Sequence, residues 1–476
     1  MSTLKRFVQD TAIYGLATVM PRVMSIVLVG LHTQMLPTAG YAVNTSFYVG
    51  AAFLNVLFTY GMETAFFRFF AKSERKTQVY STVLIALTAS TLIITGILAA
   101  LKNPIAEGLE LPLKYFWFLI AVTALDTLVV APFAYLRARG KSMKFAGLKL
   151  VNLAIYVVLN FFFLWAIPRY GWRFDFYDPT DLLQYIFISN LAASVVTFLL
   201  LTPDFFKVKL VFDKSVFIAL WKYGWPVMVA GLAFVVNENL DKLLLGNMLD
   251  KDIMGAYSGC YKLAVFMTIF IQAFRLGAEP FFFNHAKNKN APLTYATIMK
   301  YFVVVGAGGL LTVMVFIDLL KELLIRNPEY WKALNIVPVV LLANLCLGIY
   351  HNLSVWYKLT DKTSYGMYFS IMGAILTIVL NVVFIPMIGF MASAYATLVA
   401  YGFMMVISFV YGKKYYEVPY NLKKIGFYLV LAVVLSAVSF HVFRGNYVVS
   451  AILLLSYLIV IFFAEREELK AILSRS

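Results

Sequence analysis

The sequence predicts an all-α integral membrane protein of about 14 transmembrane helices. Three observations carry this reading. Hydrophobic residues make up 62% of the chain and charged residues 13%, roughly half the charged share of about 25% in soluble proteins. The apolar residues fall in long runs, each near the ~20 residues that cross hydrocarbon as a helix. The polar breaks between runs are short, which leaves no room for a soluble catalytic domain.

The runs follow in order. The first, 11–35, has a basic start (Lys5, Arg6). It is too long for a signal-peptide core and lacks a small-x-small cleavage site, so it reads as an uncleaved span. Runs 42–67, 79–101 and 115–136 come next, parted by basic or Pro-containing breaks. Runs 145–167 and 185–203 flank 169–184, the longest outer segment. The stretch 204–222 mixes Lys with Phe, Val and Trp, the pattern of a short helix lying in the interface. Then come 223–248, 253–279, 294–317, 333–357, 365–386, 388–411, 425–443 and 447–464, with the tightest turns at Pro386–Gly389 and Arg444–Asn446.

Loop charge orients these spans. One alternate set of loops, both tails included, holds more than twice the Lys and Arg of the other. Cytoplasmic loops retain Lys and Arg, so both termini are expected in the cytoplasm. The net charge of +16 is spread over many short loops, which argues against nucleic acid as a partner. Cys260 and Cys346 lie in apolar runs and carry neither a disulfide framework nor a metal spacing.

The chain also repeats weakly. Tyr14-Gly15 is answered by Tyr223-Gly224, Gly40-Tyr41 by Gly255-Ala256-Tyr257, and Ala71-Lys72 by Ala286-Lys287. Pro21 and Pro226 open corresponding helices. This suggests two six-helix halves: an N-terminal lobe at 1–203, a cytoplasmic interfacial linker at 204–222 and a C-terminal lobe at 223–411. Two further helices and a tail follow at 412–476. Repeats of this kind suit alternating access, with the site between them near interrupted helices.

No enzyme motif is present: there is no P-loop, nucleophile elbow, HExxH or dinucleotide fingerprint. The chemistry lies in charges at membrane depth, each costing about 2.5–3.5 kcal/mol at a span's centre unless it faces protein or water. Arg22, Lys262, Arg68 and Arg275 are candidate cavity cations. Arg22 has no acidic residue near it in its own helix, and arginine suits bidentate phosphate contact. Glu63, Asp126, Glu238, Asp241 and Lys242 are candidates for coupling or gating. Glu238 and Lys242 stand at i,i+4 and Glu238 and Asp241 at i,i+3, so all three share a helix face. Structural readings stand beside these. Arg68 and Arg275 also suit headgroup anchors, Asp126 an interhelix hydrogen bond, and Glu238–Lys242 a self-neutralised pair.

Four stretches carry a family resemblance: KRFVQDTAIYGLATVMPR, YGMETAFFRFF, DKLLLGNMLDKDIMGAYSGCYKLA and FIPMIGFMASAYAT. Through them the chain resembles the polysaccharide flippases of the multidrug/oligosaccharidyl-lipid/polysaccharide exporter superfamily. The resemblance implies a lipid-linked oligosaccharide on a polyprenyl diphosphate as partner, moved from the inner to the outer leaflet of the bacterial cytoplasmic membrane for surface polysaccharide such as O-antigen. It also implies a monomer among membrane lipids, other polysaccharide assembly proteins as neighbours, and no cofactor, with proton or sodium coupling open. A cation-coupled multidrug antiporter and a lipid II flippase of the same superfamily remain alternatives.

Overall fold

A chain in hydrocarbon must satisfy its backbone groups internally, and helices do so within one segment. The computed structural model describes residues 3–286, 288–360 and 362–473, and helix is the only regular structure among them. Lys287, half of one repeat match, lies outside the described residues. The first expected span falls within a continuous helix, α1 (Thr3–Met35). Thirteen further segments among the described residues are long and apolar enough to cross a membrane. They are α2 (Thr38–Ala71), α3 (Lys76–Ala100), α4 (Leu113–Ala138), α5 (Ser142–Tyr170), α6 (Leu182–Phe205), α7 (Lys214–Met248) and α8 (Lys251–Phe283). The rest are α9 (Ala291–Val315), α10 (Ile336–Leu359), α11 (Ser364–Ile388), α12 (Met391–Tyr415), α13 (Leu422–His441) and α14 (Tyr447–Glu467). Each coincides with an expected run, and the protein is an all-α, multi-pass membrane protein.

The chain divides into two compact units, Met1–Ser258 and Gly259–Ser476. In the first unit, α7 packs against both halves of α2. The stretch 204–222 does not form one short helix of its own. Residues 206–213 form an irregular strap, and α7 runs unbroken for 35 residues from Lys214. The reason is local. The Asp213 carboxylate accepts hydrogen bonds from the Ser215 and Val216 amides and starts the helix there. Those bonds, with the Ser215 hydroxyl foremost, hold the Asp213 carboxyl below its ordinary range. The strap is tied down by the Val211 amide donating to Ser81 Oγ at 2.6 Å and by Gln78 Nε2 donating to Asp213 Oδ2 at 2.6 Å. Leu210, Val211 and Phe212 stay exposed on it, as suits a segment at the lipid surface.

α2 breaks at Tyr60 and Gly61, both left-handed, with φ of 33° and 75°. The break lets α2 and α7 touch backbone to backbone. A Cβ on Gly61 would lie 2.3 Å from the Gly224 carbonyl oxygen, so no other residue fits. The ring of Tyr60 packs on Trp221, with centroids 5.7 Å apart.

In the second unit, α10 and α11 both pack along α12. Trp356 stacks on Tyr415 with centroids 5.5 Å apart and donates to Ser408 Oγ at 3.2 Å. The last two helices pack on α9. Glu465, fully buried on α14, accepts from Lys300 on α9 and from Tyr428 and Lys424 on α13, the last at 3.0 Å. The turn between α13 and α14 is tied to the segment after α9. There Asp318 accepts from Arg444 Nη2 at 3.2 Å and from Lys321 at 2.5 Å.

Gly61→Ala is expected to strain the α2 break and push α7 away, costing on the order of 2 kcal/mol. Thermal unfolding of the detergent-solubilised protein checks this, and an unchanged melting temperature would show that the crossing relaxes freely.

Candidate functional site

The charged residues at membrane depth sort by what they touch. In the first unit, α2 supplies Glu63 and α4 supplies Arg137, which pair at 3.0 Å. The Arg137 guanidinium also lies 4.8 Å over the Phe67 ring and 5.8 Å over that of Phe145. Both partners remain half open to solvent, so the pair holds position without being sealed. Asp126, on α4, accepts from the Ser194 hydroxyl of α6 at 2.7 Å. Beside them on α5 is Lys149, its ammonium 4.4 Å over the Phe133 ring. One turn further, Asn152 donates to Thr197 of α6 at 2.9 Å. Polar and charged groups from α2, α4, α5 and α6 thus gather inside the spans of one unit.

Arg68 is exposed, its guanidinium 4.4 Å over Tyr223 of α7. Arg22 lies half-buried on α1, where Ser25 Oγ donates to its carbonyl at 2.7 Å. Just beyond the strap side of this unit is an apolar recess of about 560 Å³, lined by Leu57, Ile93, Phe212, Phe217, Trp221 and Met228 among others. Its one pair of polar groups, Ser90 and Tyr60, bond each other at 3.3 Å.

On α7 the acidic cluster is closed. Asp241 Oδ1 accepts from Lys242 Nζ at 2.9 Å, and Asp241 Oδ2 accepts from the Tyr257 hydroxyl at 2.8 Å. Lys242 Nζ also donates to the carbonyl of Glu238 at 2.7 Å. Asp241 and Lys242 are buried and Glu238 is half-buried. The i,i+4 spacing therefore brings the lysine to the backbone of Glu238, while the carboxylate it pairs with is that of the adjacent Asp241.

In the second unit, Glu279 on α8 accepts from Arg275 at 3.1 Å and from Lys358 on α10 at 2.8 Å. His351 on α10 has both of these cations as charged neighbours. Lys262 is exposed at the start of a 3₁₀ turn, Lys262–Ala264, inside α8. Among the described residues no group of His, Cys, Asp and Glu is placed to hold a metal ion.

The structure adds participants that the sequence reading does not single out. Arg137 reads there as a loop residue, and Lys149 and Lys300 as unremarkable members of their spans. Each is legible as a lone cation in or beside an apolar run. Asp204 at the end of α6 is fully buried and binds Lys144 at 2.5 Å and also Lys207. Glu110, between α3 and α4, has a left-handed φ of 51°, and burial against Gly246 pushes its carboxyl up despite the opposing pull of Lys251.

Charged groups held at depth in a many-span helical protein define a polytopic membrane protein built around a polar interior. The chain belongs to the polysaccharide biosynthesis protein family, whose profile matches residues 7–278. A second profile, MatE, matches residues 226–383. No curated protein matches the chain by sequence. Among solved structures, the lipid II flippase MurJ in an inward closed conformation overlays with a TM-score of 0.71 at 15% identity, covering 96% of this chain and 100% of its own. An inward-facing multidrug resistance MATE family transporter gives 0.66 at 12% identity, covering 85% and 94%. A point mutant of the Vibrio cholerae MATE transporter VcmN gives 0.60 at 16% identity, covering 86% and 96%. The fold is therefore shared with these proteins.

Asp241→Asn removes a counter-ion from a buried ammonium, a loss expected to cost about 3 kcal/mol. Asp241→Asn with Lys242→Met should recover most of it. Melting temperatures of the purified variants check the pair. Equal stability of the single mutant and the parent would mean that Asp241 is not a structural partner of Lys242.

Proposed function

We propose that the protein is a transporter, not an enzyme, that flips a lipid-linked oligosaccharide on a polyprenyl diphosphate from the inner to the outer leaflet by alternating access. It serves surface polysaccharide synthesis in the bacterial cytoplasmic membrane, with both termini in the cytoplasm. The observation that carries this reading is the polysaccharide biosynthesis family match over more than half of a chain whose charges lie inside its spans. The physics agrees. A diphosphate and its sugars cannot enter hydrocarbon unpaired. Arg22, Arg68, Lys262 and Arg275 are the proposed contacts for the anionic headgroup, and the apolar recess beside Trp221 offers company for an isoprenoid tail.

A multidrug antiporter is the second reading, favoured by the MatE profile. Against it, the inward-facing MATE structure covers 85% of this chain where MurJ covers 96%. The shortfall is about the length of α13, α14 and the tail. A lipid II flippase is the nearest variant within the proposed class, differing in the headgroup carried on the polyprenyl diphosphate.

Arg22→Ala and Lys262→Ala are each expected to abolish surface-glycan export in a complementation assay while the protein still reaches the membrane. Normal export by both would overturn the cationic contact set. Export that persists in a strain lacking the protein, together with drug resistance lost in that strain, would favour the antiporter.

Coupling is proposed to run through Glu63, Asp126, Glu238, Asp241 and Lys242, with a proton or sodium ion as the driving partner. Asp126→Asn and Glu238→Gln should flatten the dependence of export on pH or sodium. Profiles that superimpose on the parent's would remove both residues from that role.

A further inference from the structure

Lys149 is an intramembrane cation with no part in the contacts proposed above. It stands seven residues into α5, about 10 Å along the helix axis at ~1.5 Å per residue. A lysine on a lipid-facing surface reaches for the headgroups. Helix geometry also tilts its side chain back toward the start of the helix, which here is the cytoplasmic end on the orientation set by the loop charges. Lys149 instead lays its ammonium over Phe133 of α4 at 4.4 Å. Asp126, Glu63 and Arg137 are its charged neighbours. The side chain is nonetheless exposed. An aromatic face and three charged neighbours around the ammonium suit a cleft of the first unit better than a lipid-facing surface.

Asp126 and Glu63 act on Lys149 through space, and each accepts a hydrogen bond from a different residue. Asp126 accepts from Ser194 at 2.7 Å, and Glu63 accepts from Arg137 at 3.0 Å. Lys149 itself makes neither an ion pair nor a hydrogen bond among the described residues; its direct contact is the ring face of Phe133. An ammonium has three N–H donors, and a ring face takes its charge without satisfying them. The fold therefore keeps a cation at membrane depth with acidic neighbours but without a direct ion pair. That arrangement suits an incoming anionic oxygen.

We propose that Lys149 is an anion-contact residue of the transport path, donating to a phosphate oxygen of the substrate headgroup. This rests on the flippase reading above. Lys149 differs from Arg68 in lying deeper within its span, so it would meet the headgroup after the exposed Arg68.

The test is binding of undecaprenyl diphosphate, with uncharged polyprenol as control, to the full-length protein in nanodiscs. Lys149→Ala is expected to weaken diphosphate binding about tenfold, in keeping with the loss of a charge-assisted contact. Lys149→Arg should retain most of it, and polyprenol binding should be unchanged in both. Wild-type affinity in Lys149→Ala, with binding lost in Arg22→Ala, would overturn the role of Lys149 alone. A wild-type protein that does not prefer the diphosphate over polyprenol would overturn the flippase reading and this proposal with it. Asp126→Asn combined with Lys149→Ala separates contact from charge balance, because restored binding would show that Lys149 only neutralises Asp126 and would overturn the proposal. Lys149→Met keeps the stem without the charge. Failure of both it and the alanine variant to fold would mark the residue as structural and overturn the proposal as well.

Discussion

The cost of placing charge in a low-dielectric interior governs this structure. At membrane depth a charge must be paired, buried with donors and acceptors, or kept in contact with water. The described charges meet that demand in three ways. Some are sealed: Asp241 with Lys242 and Tyr257, and Glu465 with Lys300, Tyr428 and Lys424. Some are paired but half open, as Glu63 with Arg137 and Glu279 with Arg275 and Lys358. Two cations, Arg68 and Lys149, rest on aromatic faces. The sealed groups tie helices together. Glu465 joins α9, α13 and α14, and so ties the last two helices to the second unit.

The backbone answers to the same constraint. A helix break at depth exposes amides and carbonyls, so it is tolerated only where protein covers it or water reaches it. The Tyr60–Gly61 break in α2 meets this by pressing against Gly224 of α7. Contact that close needs glycine on both sides, since a Cβ on Gly224 would lie 2.9 Å from the Tyr60 carbonyl oxygen. The break also turns the second half of α2, which carries Glu63 and Arg68. Local backbone geometry in one helix thus orients two of the charged groups.

The spans are legible in the sequence because the hydrocarbon thickness imposes one length on every apolar run, and a run needs no knowledge of its neighbours to be recognised. The start of α7 is less so. Its first turns carry Lys214, Trp221 and Lys222, which read as an interfacial segment, whereas the helix start is set by a short-range bond from the Asp213 carboxylate. Glu63 and Asp126 are legible as charges out of place, but their partners are not. Arg137 lies 74 residues from Glu63 and Ser194 lies 68 from Asp126, and only the fold brings such pairs together. The i,i+4 rule serves for Glu238 and Lys242 up to a point. It places the two on one face, while the side chain has the choice of a backbone carbonyl and a nearer carboxylate.

Magnitudes separate the sealed charges from those left without a direct ion pair. A buried pair with further hydrogen bonds offsets much of its own desolvation, and the Asp241 and Glu465 clusters are of this kind. A cation over a ring gains about 0.5–2 kcal/mol, against about 2.5–3.5 kcal/mol for a charge at the centre of a span. The ring alone does not close that gap for Lys149, and the nearby charges of Asp126 and Glu63 act in the same direction without a direct bond. A protein selected only for stability would gain by replacing such a lysine with an apolar residue of similar volume, since well-packed hydrophobes commonly match or exceed buried ion pairs in stability. On the proposed flippase reading, a cation at depth without a direct ion pair is the arrangement expected where an anionic partner arrives and leaves with each cycle.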